Sequence, residues 1–295
     1  MAKSVVVLLK GGLGNQLFQF AMGLALAKRH NASIVLDPDT GFQRDKIYRR
    51  QYHLNKFDIA RTYAVSIVKK PKYYFAILKL HKIINNYLPL RYRYYLNEEY
   101  IPVVSDLISE NFFWNTLHLD GYWQSTIFIE GFETDIRDSF KFKEFVYSGD
   151  SAYVNKIQNT CSVAIHMRIF GEETGVLSHI PMRYFLQAID EIKKSVSGPH
   201  FYIFTNNSFL AQKLLKGIHG SFTVVEGNHS EEFAFQDLWL MTLCRHFIIC
   251  DSTFGWWGAW LGCDPEKIVV APKPTKFERS SEGYLPATPP SWILL

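Results

Sequence analysis

A glycine-rich segment near the start of the chain has the composition of a phosphate-binding turn. Residues 11–16 read Gly-Gly-Leu-Gly-Asn-Gln and follow a short apolar stretch. A strand that turns sharply into a helix exposes backbone N–H groups at the positive end of the helix dipole, where phosphate oxygens bind. The segment therefore predicts a phosphate-binding glycine loop, with Gly12, Gly14, Asn15 and Gln16 as candidate contacts. A tight turn without ligand fits the same pattern.

The same glycines also fit a dinucleotide-binding site. Gly12 and Gly14 match the first two glycines of that fingerprint, and Asp37 ends the next predicted strand about where a ribose-binding carboxylate belongs. Leu17, however, occupies the position of the third glycine, where close packing of helix on strand favours Gly or Ala. An NAD(P)-dependent oxidoreductase is therefore the alternative function.

Polar residues follow two apolar stretches in the second half of the chain. Arg168 comes after the first, so it is expected at the carboxyl edge of a parallel sheet, where a guanidinium can hold two phosphate oxygens. Ser252 and Thr253 precede a Trp-rich helix, which they can cap while also binding phosphate. The other interpretations are a surface ion pair for Arg168, a structural role for His166 and capping alone for Ser252.

Alternating apolar and amphipathic stretches indicate the α/β fold that positions these residues. In the first half the pattern predicts a strand at 5–9, a helix at 15–30 and a strand at 33–37. From Cys161 onward the alternation is regular, as in a parallel sheet covered on both faces. The predicted strands there are 162–166, 201–205, 222–225, 247–250 and 267–271, and the predicted helices are 182–196, 209–218, 231–245 and 253–261.

Length, charge and composition limit the class of protein. A chain of 295 residues with 47% hydrophobic residues can bury a large core and favours two domains. Its net charge of +4 is modest and its basic residues do not alternate with aromatics in long runs, so no nucleic-acid partner is expected. No signal-peptide pattern is present, and no apolar run approaches the about 20 residues that span a bilayer. A cytoplasmic location is expected.

A basic and aromatic stretch separates the two regular halves. Residues 59–97 contain no acidic residue and carry eight lysines and arginines among aromatic and aliphatic side chains. Pro71 and Pro89 bracket a predicted helix. One interpretation is a core helix with a solvated basic face. The other is a patch over residues 69–93 that makes peripheral contact with the anionic inner face of the plasma membrane.

Five segments spread over most of the chain form a family pattern. They are 11–19 (GGLGNQLFQ), 121–125 (GYWQS), 201–207 (FYIFTNN), 237–241 (DLWLM) and 252–260 (STFGWWGAW). In order and spacing they resemble the motifs of glycosyltransferase family 11, the α-1,2-fucosyltransferases of bacterial type. A sixth segment, 166–172, departs from the family's His-x-Arg-Arg-Gly-Asp: Arg168 matches the first arginine, Ile169 replaces the second, and one residue is added.

The resemblance implies a GT-B fold, an α/β architecture of two Rossmann-like domains facing across a cleft. Residues 1–150 would form the acceptor-side domain, with the glycine loop and the basic insert, and residues 151–295 the domain that binds the nucleotide sugar. The implied reaction is an inverting, metal-independent transfer of L-fucose from GDP-fucose to the 2-OH of a galactoside in a surface glycan, with no cofactor. A homologue with a different donor, or without turnover, is a further alternative that Ile169 supports.

The resemblance also implies roles for particular residues. The donor-binding residues that it implies in the second half are His166, Arg168, Asn206, Ser252, Thr253 and Phe254. Arg168 would offset the charge that builds on the departing GDP. Glu172 stands at the family's acidic position and is the candidate general base, with Glu173 and Asp37 behind it. The run Asp37-Pro38-Asp39 is interpreted as a turn rather than a metal clamp, because Asp and Pro are common turn residues.

Overall fold

The structure, a computed structural model, is built from two parallel β-sheets. It describes residues 3–43, 45–46, 49–59, 64–65, 72–98, 113–143, 151–170, 176–177, 180–226, 231–273 and 288–295. These residues divide into two compact units: those up to Lys141 form the first, and those of Phe142–Thr275 and Thr288–Leu295 form the second. Each unit has its own parallel sheet, so the α/β class predicted from the alternation is confirmed.

The first unit contains a five-stranded parallel sheet. Its strands are β1 (Ser4–Leu8), β2 (Ser33–Asp37), β3 (Ala64–Val65), β4 (Tyr95–Asn97) and β5 (Thr116–Asp120), in the order β3-β2-β1-β5-β4. The predictions for β1 and β2 are confirmed to within one residue. The sequence predicts neither β4, which has only three residues, nor β5, which lies in the irregular stretch between the two regular halves.

Helix α1 (Leu13–Arg29) follows the glycine loop and begins two residues before its predicted start. Nearly all of it is buried, and Gly23 lets it lie close to the sheet, because an added Cβ there would be 2.3 Å from Val7 Cγ2. The helix ends where Asn31 adopts a left-handed backbone with φ +49°, as in an αL cap. The other helices described in this unit are α2 (Pro38–Phe42), α3 (Lys72–Asn86) and α4 (Glu133–Ser139).

The second unit contains a six-stranded parallel sheet. Its strands are β6 (Ser162–Met167), β9 (His200–Thr205), β10 (Ser221–Val224), β11 (His246–Ile248), β12 (Val269–Ala271) and β13 (Ile293–Leu294), in the order β10-β9-β6-β11-β12-β13. A separate antiparallel pair is formed by β7 (Ile169–Phe170) and β8 (Val176–Leu177). All six residues of β6 are buried, as expected for a central strand covered on both faces.

The helices of the second unit are α5 (Ser151–Gln158), α6 (Met182–Ser195), α7 (Ser208–Leu215), α8 (Ala234–Thr242) and α9 (Thr253–Leu261). From α6 onward they follow the predicted alternation, whereas α5 has no predicted counterpart. The bounds of α9 are those predicted. α8 is shorter than the predicted 231–245, because a 3-10 turn at Glu231–Phe233 precedes it and β11 begins at His246.

Helix α3 presents apolar side chains to solvent. Tyr73, Ile77, Leu80, Ile84 and Tyr87 recur at helical spacing along α3 and just beyond it, and they are 47% to 84% exposed. The interpretation of this helix as a core helix with a solvated basic face is therefore wrong. No helix in the described part of the chain is long and apolar enough to cross a bilayer.

Candidate functional site

Three neighbouring strands of the second unit end at the same edge of its sheet. β6 lies between β9 and β11 and runs parallel to both. Residues that follow these strands are therefore brought to the carboxyl edge, where ligands of open α/β sheets bind. Arg168 follows β6, Asn206 follows β9 and Ser252 follows β11. We call these three residues the Arg168 edge.

Asn206 holds the backbone next to Arg168. The Ile169 N–H donates to Asn206 Oδ1 and Asn206 Nδ2 donates to the Ile169 carbonyl, both at 2.8 Å. The Ile169 side chain is buried in the core of the unit, whereas Arg168 is half-buried. The residue in place of the second family arginine thus packs in the core, and Asn206 fixes the segment that carries Arg168.

His166 is a buried, neutral histidine at the end of β6. Burial, reinforced by the charge of Arg168, lowers the pKa of His166 to about 3. Its Nδ1 lies 3.2 Å from Cys250 Sγ, and its ring centroid lies 5.3 Å from that of Phe254. An added Cβ at Gly255 would lie 2.7 Å from the same Nδ1. These contacts support a role in positioning the first turn of α9 rather than direct contact with a diphosphate.

Ser252 caps helix α9 at the Arg168 edge. Its Oγ accepts a hydrogen bond from the Phe254 N–H at 3.3 Å, and its carbonyl accepts one from the Trp256 N–H at 3.0 Å. Thr253 and Phe254 lie in the first turn and are half-buried. The N-terminus of a helix favours anions, so the phosphate contacts of these residues stay a prediction that the position of α9 suits.

A buried glutamine fixes the glycine loop of the first unit. Gln16 is fully buried, and its Nε2 donates to the carbonyls of Gly11 and Gln51 at 3.0 and 2.8 Å. Its Oε1 accepts a hydrogen bond from the His53 N–H at 2.9 Å. Both N–H groups of this amide are used within the protein, so the contacts of Gln16 support a role in holding the loop rather than in binding a donor.

The remaining glycine-loop residues surround the start of α1. Gly11 has φ +76°, a conformation that favours glycine, and Gly12 is the N-cap residue of the helix. Gly14 is buried in the first turn, whereas Gly12 and Asn15 are half-buried. Asn15 Oδ1 accepts a hydrogen bond from Gln124 Nε2 at 3.0 Å, which joins this loop to the one after β5. Contact of these residues with a donor stays a prediction.

A buried carboxylate with two lysines lies next to the glycine loop, and sequence reasoning missed it. Asp120 ends β5; its Oδ1 is 2.9 Å from Lys10 Nζ, and its Oδ2 accepts hydrogen bonds from Lys82 Nζ and from Tyr95 Oη, the latter at 2.6 Å. Burial alone would raise the pKa of Asp120, but these three partners hold it well below its usual range. The one sequence feature that could have indicated this cluster is that Lys10 and Asp120 each directly precede a glycine.

Arg50 is a further cation near the glycine loop that the sequence did not single out. An added Cβ at Gly12 would lie 3.8 Å from Arg50 Nη1, so the guanidinium is close to the glycine loop. The Arg50 N–H donates to Asp45 Oδ2 at 3.0 Å, which holds the segment. No local pattern marks this residue. Lys10, Asp120 and the glycine loop, together with Arg50, are called the glycine-loop edge below.

Asp37 acts as a helix cap. Its Oδ1 accepts hydrogen bonds from the Asp39 and Thr40 N–H groups at 3.1 and 3.0 Å, and its Oδ2 accepts one from Thr40 Oγ1 at 2.6 Å. This use of the carboxylate does not favour the ribose contact of a dinucleotide site. Among the described residues no group of three or more His, Cys, Asp or Glu side chains could hold a metal ion. Glu172 and Glu173 lie outside the described residues.

Comparisons with known proteins agree with this architecture. The family model for glycosyl transferase family 11 matches residues 4–293. An α-1,2-colitosyltransferase of Escherichia coli is 27% identical, with 98% of each chain covered. The O-antigen biosynthesis glycosyltransferase WbnK of the same species is 30% identical, with 97% of this chain and 99% of the relative covered.

A solved structure shares the fold. NodZ, an α-1,6-fucosyltransferase from Bradyrhizobium whose crystal was soaked with GDP-fucose, aligns with a TM-score of 0.56 at 14% identity. The alignment covers 88% of this chain and 93% of NodZ. With the two parallel sheets, this likeness confirms the predicted GT-B fold class.

Proposed function

This chain belongs to glycosyl transferase family 11, and we propose that it transfers L-fucose from GDP-fucose to a hydroxyl group of a glycan. The observation that carries the proposal is the Arg168 edge, where a guanidinium follows the central strand beside the N-terminus of α9. A diphosphate leaving group needs positive charge at such a position. The crystal of NodZ, which shares this fold, was soaked with GDP-fucose, and this supports the choice of donor.

In the proposed reaction Arg168 stabilises the charge that develops on GDP as the bond to the sugar breaks. His166 is held neutral, so Arg168 supplies the positive side-chain charge at the end of β6. The first turn of α9 adds the positive end of a helix dipole. Ser252 keeps that turn in place, and Asn206 keeps the Arg168 segment in place.

The finer features of the proposal are the linkage, the stereochemistry and the base. The acceptor is a galactoside, its 2-OH attacks the anomeric carbon opposite GDP, and the configuration inverts. The α-1,2 linkage in the name of the colitosyltransferase supports this regiochemistry. Glu172 is the proposed base, because a carboxylate within about 3 Å of the hydroxyl can take its proton. No divalent metal takes part, and the Arg168 edge offsets the diphosphate charge instead.

The name of one relative favours a second donor. The α-1,2-colitosyltransferase matches this chain over nearly its full length, so GDP-colitose is an alternative to GDP-fucose. Purified protein would be incubated with each donor and with lactose, in EDTA, and the product analysed by mass spectrometry and NMR. We expect an α-1,2-fucosylated product, formed in EDTA at the same rate as without EDTA. A product from GDP-colitose alone would contradict fucose as the donor sugar. A β-linked product would contradict inversion, because the sugar of the donor is β-linked. Loss of activity in EDTA that manganese restores would contradict metal independence.

We also propose that α3 makes peripheral contact with an anionic membrane. Its exposed apolar stripe is accompanied by the exposed Lys79 and Arg91, and residues 59–97 contain no acidic residue. A helix with apolar and basic side chains binds at the membrane interface, with about 1 kcal/mol from each basic residue near an anionic surface. Lys69, Lys70 and Pro71 of the predicted patch lie outside the described residues.

The inward face of α3 explains why its apolar stripe is free for such contact. The helix is attached to the unit by Leu78, which packs on Leu8 and Tyr95, and by two polar residues. Lys82 binds Asp120, and Asn85 Oδ1 accepts hydrogen bonds from the N–H groups of Tyr94 and Tyr95. The side chains of Ile77, Leu80 and Ile84 therefore remain on the outer surface.

Vesicle co-sedimentation tests the membrane contact. Wild-type protein is expected to bind phosphatidylserine vesicles and to be released by salt, while a variant with Ile77→Ser, Leu80→Ser and Ile84→Ser is not expected to bind. Phe209→Ser, which changes an exposed apolar residue of the second unit, is the matched control and should bind normally. Equal binding to neutral vesicles, or a dimer that the triple substitution dissociates, would contradict the proposal.

A further inference from the structure

The loop after β5 presents one aromatic side chain to solvent between buried neighbours. Tyr122 is 40% exposed, whereas Gly121 and Trp123 are buried. We infer that Tyr122 is the platform on which the acceptor sugar lies, and that it determines acceptor specificity. The inference rests on the proposed function, because it takes the acceptor to be a hexopyranose.

The backbone of this loop is fixed in a conformation that is unusual for a bulky residue. Trp123 has φ +56°, in the left-handed region, which costs about 1–3 kcal/mol and persists only where the surroundings impose it. The Glu98 carboxylate accepts hydrogen bonds from the N–H groups of Tyr122 and Trp123, at 2.5 and 2.9 Å. Gly121 makes room for this carboxylate, since an added Cβ would lie 2.8 Å from Glu98 Oε2.

The fixed loop places the Tyr122 ring beside the glycine loop. An added Cβ at Gly11 would lie 3.2 Å from Tyr122 Cε1, and Lys10 Nζ lies 4.9 Å from the centroid of the ring. Two residues further on, Gln124 binds Asn15 at the start of α1. The ring is therefore held by a cation–π contact and by packing on Gly11, yet Tyr122 as a residue remains 40% exposed.

These surroundings fit a pyranose. A sugar ring has a face of C–H groups that packs on an aromatic face, and a rim of hydroxyls that hydrogen-bond to charged and amide groups. Tyr122 offers the aromatic surface, and Lys10, which is about one-third exposed, and Asn15 offer polar atoms next to it. The binding of a hexose on Tyr122 would place an acceptor hydroxyl beside the glycine loop, whose contact with the donor stays a prediction from the sequence.

The test compares Tyr122→Leu with Tyr122→Phe in steady-state transfer to lactose. The Leu variant is expected to raise the KM for lactose at least about fivefold, with the KM for GDP-fucose unchanged, because it loses the aromatic surface. The Phe variant keeps the ring and should stay within about twofold of wild type. Phe113→Ala changes an exposed aromatic residue of the same unit and is the control without effect.

Saturation-transfer NMR of lactose in the presence of GDP separates this inference from the proposed function. Wild-type protein should saturate the pyranose C–H protons, and Tyr122→Leu should abolish the effect, whether or not fucose is transferred. A protein that transfers fucose with unchanged lactose KM in Tyr122→Leu would overturn the inference and leave the function standing. A rise in the KM for GDP-fucose instead, or no lactose binding by the wild type, would also overturn it.

Discussion

The glycine-loop edge and the Arg168 edge both lie on parallel sheets, but they differ in the charged groups that surround their cations. At the glycine-loop edge, Lys10 and Lys82 bind the buried Asp120, so much of their charge is balanced within the protein. At the Arg168 edge two buried neighbours are neutral: burial lowers the pKa of His166 to about 3 and raises the pKa of Cys250 to about 12, while the Asp251 carboxylate acts on the same thiol.

This difference indicates which edge suits an anionic ligand. Where lysines already bind a carboxylate, an added phosphate competes with that carboxylate, whereas the buried His166 and Cys250 beside Arg168 are neutral. The glycine-loop edge instead offers rigidity and an exposed aromatic ring. The comparison therefore supports a donor site at the Arg168 edge and an acceptor sugar at the loop after β5.

The largest expected effect concerns the buried charges of the glycine-loop edge. Asp120→Asn leaves Lys10 and Lys82 near each other without the carboxylate, so we expect the free energy of unfolding to fall by about 3 kcal/mol in urea denaturation. The control is Asp135→Asn, which breaks the exposed pair with Lys28 and should cost less than about 1 kcal/mol. Equal effects of the two substitutions would show that Asp120 is not a structural centre.

The difference in stability between wild type and Asp120→Asn is expected to depend on pH. The pKa of Asp120 is lower in the folded state than in the unfolded state, so its stabilisation is present above the unfolded value of about 3.9 and is lost as the pH falls below it. The stability difference between wild type and Asp120→Asn should therefore shrink as the pH is lowered from about 5 to about 3. A constant difference over that interval would contradict the assigned pKa shift.

A smaller effect is expected from two adjacent asparagines near the Arg168 edge. Asn206→Ala removes both hydrogen bonds to Ile169 and should lower kcat/KM about threefold to tenfold, because the Arg168 segment loses its support. Asn207→Ala removes the cap of α7, a hydrogen bond from the Leu210 N–H at 3.0 Å. It should cost about 1 kcal/mol of stability without changing kcat/KM. Loss of activity in both variants alike would remove the positioning role of Asn206.

The smallest expected effect is the absence of a titration. His166 stays neutral above about pH 4, because burial and Arg168 disfavour its charged form. The NMR signals of its ring, assigned by their loss in His166→Asn, should not move between about pH 5 and about pH 8. A titration within that range would show that His166 adds a pH-dependent positive charge next to Arg168.

The sequence predicts the centre of the second unit well because its central strands are buried. β6, β9 and α9 match their predicted positions within one residue, since apolar runs and helical spacing are local signals. The ends of these strands also predict where Arg168 and Ser252 lie. Contacts that depend on packing, such as those between Asn206 and Ile169, have no local signal.

In the first unit the sequence predicts the positions of helices and strands better than the contacts that these elements make. The prolines around α3 predict its extent, but periodicity does not say which face packs on the protein. Here Lys82 and Asn85 attach the helix, so the apolar side chains face outward. The contact between Lys10 and Asp120 joins residues 110 positions apart and depends on β1 pairing with β5. No spacing within the sequence indicates that pairing.

Isothermal titration calorimetry with GDP tests the central claim, that the Arg168 edge binds the donor diphosphate. Arg168→Ala should raise the Kd for GDP at least about tenfold, which is about 1.4 kcal/mol. Arg245→Ala, which removes an exposed cation before β11 at the opposite edge of the same sheet, should leave the Kd unchanged. An unchanged Kd in Arg168→Ala, or equal losses in both variants, would contradict the account.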